Sequence, residues 1–199
     1  MSQILLLQSS LNGPASRTNQ LMERFLQTRR EQGHQDQVVV RDLTALDLPV
    51  LDSPLFHALR GAEPANEAIR QAVAQSDRLI AELKAADLLL IGAPMYNLNV
   101  PTPLKNWFDL VARAGVTFRY TDTYPMGLVE GVNALVFSSR GGVHQGQATD
   151  AVTPYLQSVL GLMGIAEVEF VYAEGMDLRP HGAEQGMREA HARIAGLGR

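Results

Sequence analysis

Apolar positions along this chain fall into two patterns that alternate from one end to the other. Short unbroken runs, led by Ile4 to Leu7, Val38 to Val40, Leu88 to Ile91 and Ala134 to Phe137, have the length of strands. Runs of this kind, without a polar residue at every second position, belong to strands buried on both faces. The expected strands are Gln3–Gln8, Gln37–Asp42, residues 88–91, residues 133–138 and the valine-containing residues 167–172. Between them apolar residues recur at helical spacing. Leu21, Met22, Phe25 and Leu26 form one stripe, and Ile69, Ala72, Val73, Leu79, Ile80 and Leu83 form a second over residues 66–84. A third helix starts at Thr102 or Pro103, carries Leu104, Trp107, Phe108, Val111 and Ala112, and ends at Gly115. Two more run from Thr149 or Asp150 to Met163 and from about Ala183 onward.

Five buried strands separated by helices imply a parallel sheet covered on both faces. The expected fold is α/β: a flavodoxin-like, doubly wound five-stranded parallel sheet, order 2-1-3-4-5, as one domain over residues 1–199. Two stretches stand outside this alternation. Residues 43–65 carry Pro49, Pro54, Gly61 and Pro64 and no sustained period. They read as a long surface excursion, which suits a functional segment and a passive wrap equally. Residues 116–120 alternate well enough for a short strand or hairpin arm, with residues 122–131 as its loop.

Composition removes several classes of function. The chain has no cysteine, so disulfides, thiolate metal sites and thiol nucleophiles are excluded. A formal charge of −4, a pI near 5.7 and only two lysines, far apart, speak against a nucleic-acid surface. No basic residue precedes the first apolar run, and no apolar segment approaches the roughly 20 residues of a membrane span. A cytoplasmic location without a membrane span is expected. Neither a P-loop nor a G-x-G-x-x-G follows a strand, so nucleotide hydrolysis and a resident Rossmann dinucleotide are unsupported.

In the expected strand order, strands 1, 3 and 4 are neighbours, and the loops at their carboxyl ends are the unusual ones. The first, residues 9–19, is rich in hydroxyl groups and leads into a helix. Its helix N-terminus can bind an anion through free amides, with Ser16 and Thr18 adding hydroxyls and Arg17 a cation; Ser16 also reads simply as a helix cap. The second follows Pro94 and puts Met95, Tyr96 and Asn97 where an open α/β sheet binds its ligand. The third holds Ser139, Arg140, Gly141, Gly142, Val143 and His144. Successive glycines let main-chain amides approach a planar or anionic group, although tight turning alone also uses them. Trp107 and Phe108 are able to stack on a cofactor, but their spacing beside Leu104 and Val111 is that of core or subunit contact. Together the three loops suit a mononucleotide, and flavodoxin-like sheets place FMN at this switch point.

Pro94, Met95, Tyr96 and Asn97, then residues 104–109, 113–118 and 139–142 with their sequences LKNWFD, RAGVTF and SRGG, resemble the bacterial FMN-dependent NADH azoreductases, relatives of the NAD(P)H quinone reductases. The likeness runs from Ser9 and Ser10 to residues 170–175. It implies a homodimeric flavoprotein in which NADH or NADPH reduces FMN, and the reduced flavin reduces a quinone, azo or nitroaromatic compound in the same pocket. Carried over by position, Ser10, Ser16, Arg17 and Thr18 would hold the FMN phosphate. Met95, Tyr96, Asn97 and Leu98 would lie along the isoalloxazine, Ser139, Arg140, Gly141 and Gly142 would close its pyrimidine side, and His144 would approach the ring or substrate. Two positions depart from the family's pattern: Leu98 stands where relatives resemble one another in carrying Phe, and Arg17 where a neutral residue is common.

The implied chemistry asks little of side chains, because hydride transfer through a flavin needs mainly ring positioning and charge stabilisation. His144 and Tyr96 are the two groups able to supply a proton, and each has a structural reading as well. An alternative is a flavodoxin-like electron carrier or regulatory FMN module without efficient substrate turnover. The mild net charge weighs against a carrier, since docking to redox partners exploits a strong field. No motif reads a 2′-phosphate, so both nicotinamide donors stay open.

Overall fold

The apolar runs pair into one parallel sheet. The computed structural model describes residues 1–197. Its main strands are β1 (Gln3–Gln8), β2 (Gln37–Asp42) and β3 (Leu88–Gly92). A small antiparallel hairpin, β4 (Phe118–Arg119) with β5 (Met126–Gly127), precedes β6 (Asn133–Ser139) and β7 (Val168–Ala173). The sheet runs β2-β1-β3-β6-β7, every pair parallel. With the hairpin strands left out of the numbering, this is the expected order 2-1-3-4-5. The helices are α1 (Arg17–Glu31), α2 (Ser53–Ala58), α3 (Glu67–Lys84), α4 (Thr102–Val111), α5 (Val152–Met163) and α6 (Gly182–Leu197).

Side chains alternate across a strand, so each central strand feeds two cores. Leu5 and Leu7, Leu89 and Ile91, and Ala134 and Val136 point to one face, with Leu79 and Leu83 of α3, Leu104 and Trp107 of α4, and Leu156 and Leu160 of α5. Ile4 and Leu6, Leu90, and Leu135 and Phe137 point to the other, with Leu21, Met22 and Phe25 of α1 and Ala190 and Ile194 of α6. Trp107 and Phe108 lie wholly inside, ring centroids 5.1 Å apart. They are core, and neither is available to stack on a ligand.

Four expectations need correction. β2 is an exposed edge strand, with Val38, Val39 and Val40 37–48% exposed; among the described residues it pairs only with β1, and the flanking helices cover the inner strands instead. The excursion over residues 43–65 contains α2, whose Leu55, Ala58 and Leu59 pack against α3 behind an Asp52 cap. So short a stripe carries almost no periodic signal. α4 ends at Val111, before Gly115, because buried hydroxyls claim its last carbonyls: Ser76 Oγ donates to Leu110 O (2.6 Å) and Thr117 Oγ1 to Val111 O (2.6 Å). α5 begins at Val152, later than expected, because residues 144–150 are held in turns by Gln147 N to His144 O (2.8 Å) and Asp150 N to Gln147 O (3.0 Å).

Leu90 is fully buried in the middle of the sheet. Leu90→Ala is expected to cost about 3 kcal/mol of unfolding free energy, read from the urea midpoint of the apoprotein.

Candidate functional site

The loops after β1, β3 and β6 meet at the carboxyl edge of the sheet. The first is anchored from below: Ser9 Oγ donates to Gly92 O at 2.6 Å. Gly92 lets α1 come close, since a Cβ there would stand 2.7 Å from Met22 Cε and 3.3 Å from Thr18 Oγ1. Ser16 caps α1 by accepting from Asn19 N at 3.2 Å, and its hydroxyl meets that of Thr18 at 3.1 Å, both residues fully buried. The amides of Arg17 and Thr18 find no acceptor among the described residues. Asn19 Oδ1 is buried without a partner, and exchanging the amide's nitrogen and oxygen turns that atom into a donor. Arg17 is exposed and pairs with no carboxylate among the described residues, reaching only Gln20 Oε1 at 3.3 Å. Free amides, hydroxyls and a cation at a helix N-terminus form a seat for an anion.

The second loop is a tight hairpin. Tyr96 N donates to Asn99 O (2.9 Å) and Asn99 N to Tyr96 O (3.0 Å), with φ of 49° at Asn97 and 64° at Leu98. Two successive positive φ values make a type I′ turn, which Asn tolerates and Leu resists by about 1 kcal/mol. Such strain is held where the surroundings impose it, and it marks functional edges. Leu98 is 45% exposed at the tip. Tyr96 reaches back to the first loop: its hydroxyl lies 3.2 Å from Ser10 Oγ and accepts from Leu11 N at 3.1 Å. Met95 N donates to Ser139 O at 2.9 Å, which ties the second loop to the third.

Under the third loop lies a buried charge cluster. Arg140 is 1% exposed, and every arm of its guanidinium is used. Nε donates to Ser138 Oγ (3.2 Å), Nη1 to Glu174 Oε1 (3.2 Å) and Nη2 to Thr153 Oγ1 (2.9 Å), and Nη2 forms an ion pair with Asp150 Oδ1 at 3.1 Å. The cation also stands 4.6 Å from the Tyr172 ring centroid. Glu174 Oε1 accepts in addition from His144 N (2.8 Å) and Gln145 N (2.9 Å). Burial pushes the Asp150 carboxyl up, but the Thr153 amide and the Arg140 guanidinium outweigh it and hold Asp150 below the ordinary value. Outside this cluster the amides of Gly141 and Gly142 have no acceptor among the described residues. Their carbonyls accept from Asp177 N (3.0 Å) and Gly175 N (2.9 Å). His144 Nδ1 meets Thr149 Oγ1 at 2.8 Å, and its ring packs on Gly142, where a Cβ would stand 2.9 Å from Nε2.

A sequence model of the Flavodoxin_2 family, described as having a flavodoxin-like fold, matches residues 2–197. The chain belongs to this family. It is 65% identical over 197 residues to FMN-dependent NADH:quinone oxidoreductase 4 of Burkholderia lata, covering 99% of each chain. It is 53% identical over 197 residues to the FMN-dependent NADH:quinone oxidoreductase of Aeromonas salmonicida, again with 99% of each covered. Among solved structures, the azoreductase of Bacillus anthracis str. Sterne superposes with a TM-score of 0.87 at 29% identity, over 100% of this chain and 99% of that one.

Of the residues singled out in the sequence, Ser10, Ser16, Arg17 and Thr18 share the first loop and its helix start, and Met95 to Leu98 the second. Ser139, Gly141, Gly142 and His144 share the third. Arg140 differs: its side chain is consumed inside the protein, and its own amide donates to Ala173 O at 2.9 Å, so neither faces the edge. Reasoning from sequence missed Ser9, Gly92, Asp150, Thr153 and Glu174. The available signal was Arg140 itself, since an arginine directly after a buried strand requires carboxylates from elsewhere in the chain. No helix among the described residues is long and apolar enough to cross a membrane, and none of their acidic or histidine side chains gather into a metal-binding group.

Arg140→Met is expected to destabilise the protein by roughly 3–5 kcal/mol in urea titrations, because it strands two carboxylates in the interior. A second expectation concerns acid. Hydrogen bonds from Arg29 hold Asp36 low as well. Asp36 and Asp150 both sit below their unfolded values, so their contribution is complete above about pH 4 and is lost as pH falls through the folded values. The urea midpoint should drop steadily below pH 4, and Asp36→Asn should flatten that decline.

Proposed function

We propose that this chain is an FMN-dependent oxidoreductase, working as one domain in the cytoplasm, that takes hydride from NADH or NADPH and reduces quinones, azo compounds and nitroaromatics. The observation that carries this reading is the convergence of three loops at one sheet edge, two of them with unpartnered amides, at the switch point where such sheets bind a mononucleotide. These residues fit FMN. The amides of Arg17 and Thr18, with the hydroxyls of Ser10, Ser16 and Thr18, would hold the phosphate. Met95, Tyr96, Asn97 and Leu98 would line the ring, and Ser139 with the amides of Gly141 and Gly142 would face its pyrimidine edge. Bound FMN would supply the hydride relay between donor and acceptor.

The protein's own part is positioning and charge. Fixed amides at Gly141 and Gly142 stabilise negative charge without reorganising, because the charge cluster beneath them is already closed. Thr149 engages Nδ1 of His144 while the Nε2 side of the ring lies against Gly142, which sets the imidazole beside the glycine pair, within reach of a group held there. Tyr96 already spends its hydroxyl on Ser10 and Leu11; its role is to lock two loops together. The relatives named as NADH:quinone oxidoreductases match this chain over nearly its whole length, which favours turnover over an electron carrier. Exposed Val50, Phe56, Tyr120, Tyr124 and Met126 are apolar surface suited to a second copy in a homodimer.

Purified, FMN-loaded protein is expected to consume NADH with a benzoquinone far faster than free FMN does; a rate no greater than that of free FMN refutes the enzyme. Light scattering should give twice the 21.7 kDa chain mass, and a monomer would remove the homodimer. Arg17→Gln should weaken FMN binding about tenfold at low salt while leaving riboflavin, which lacks the phosphate, unaffected. Equal losses for both ligands would move the phosphate away from α1.

A further inference from the structure

Gly141 has no side chain, and the space where one would begin is already filled. A Cβ built there would overlap Oδ2 of Asp177 and stand 3.2 Å from its Cγ. The backbone holds this carboxylate in place. Residues 175–177 run beside residues 140–142 as a short ladder, with Gly175 N donating to Gly142 O (2.9 Å), Met176 N to Arg140 O (3.0 Å) and Asp177 N to Gly141 O (3.0 Å). Among the described residues the carboxylate accepts no hydrogen bond and meets no cation. Sequence alone assigns the glycine at 141 to the approach of a ligand, whereas the structure shows its Cα face packed by an acidic side chain.

We infer that Asp177 tunes the reduction potential of the bound flavin, holding it lower than the Gly141 and Gly142 amides alone would set it. The inference rests on the placement of FMN proposed above. Bond lengths put Oδ2 within about 4 Å of the Gly141 Cα, so an acceptor on the Gly141 N–H stands within about 8 Å of the carboxylate. An uncompensated negative charge at that range disfavours further negative charge on the ligand. Reduced FMN carries more negative charge than oxidised FMN, so Asp177 weakens the reduced complex more than the oxidised one. Asp177 would thereby favour loss of hydride from the bound flavin to the acceptor. Coulomb's law at this distance spans about twofold to thirtyfold in relative affinity between watery and protein-like dielectrics. The exposure of Asp177 sets the effect near the lower end, about threefold.

The test compares wild type with Asp177→Asn, which keeps the shape and removes the charge. Dissociation constants for oxidised and for reduced FMN are measured anaerobically, and the midpoint potential is measured against a reference dye, each at 10 mM and 500 mM salt. Asp177→Asn is expected to favour reduced over oxidised FMN about threefold more than wild type at 10 mM salt, with a matching rise in potential that shrinks at 500 mM. Glu184→Gln, which removes another exposed carboxylate, should leave the ratio unchanged. An unchanged ratio in Asp177→Asn at 10 mM salt, or a shift toward oxidised FMN, overturns the inference while FMN binding by wild type keeps the functional reading intact. Failure of wild type to bind FMN at all overturns both.

Discussion

Parallel pairing of β1, β3 and β6, with both faces buried, is the constraint on which the rest of this structure depends. Parallel neighbours end at the same edge, so three loops far apart in sequence are delivered side by side. The alternation of Leu5 with Leu6, Leu89 with Leu90 and Val136 with Phe137 between two cores holds the register, because a shift of one residue would turn each core side chain to the opposite face. Burial of those strands is therefore what sets the spacing between an anion seat, a strained turn and a glycine pair.

At that edge the structure leaves polar groups unpaired and backbone under strain, both of which cost stability. The amides of Arg17, Thr18, Gly141 and Gly142 point to no protein acceptor among the described residues, and Leu98 sits where leucine is disfavoured. The surrounding hydrogen bonds offset this. Tyr96 spans the first two loops, the Met95 amide joins the second to the third, and the Arg140 cluster closes the third from beneath. Donors held in place before a ligand arrives need no reorganisation when charge develops, which is the physical basis of their use in flavin chemistry.

Much of this was legible in the chain itself. Four unbroken apolar runs and the helical stripes between them identify a doubly wound sheet, and Ser16, Tyr96 and Gly141 with Gly142 mark the loops that gather at its edge. The illegible parts are those whose signal is either too short or too distant. α2 presents one stripe of three residues, and the end of α4 is decided by Ser76 and Thr117, which lie in other segments. The expected order already sets β2 at the edge of the sheet; what its run of valines does not encode is that the flanking helices leave that edge strand uncovered.

Arg140 and Gly141 show where sequence ends and tertiary structure begins. By itself the sequence determined the fold class, the strand order and the three loops, because burial periodicity and turn chemistry are local properties of a chain. It placed Arg140 and Gly141 in the right loop. Only the packing of β7 and the segment after it against β6 decided that Arg140 turns inward to Asp150 and Glu174, and that Asp177 lies on the face of Gly141. Charges find partners through space, and an isolated guanidinium or glycine carries no record of which distant carboxylate will reach it.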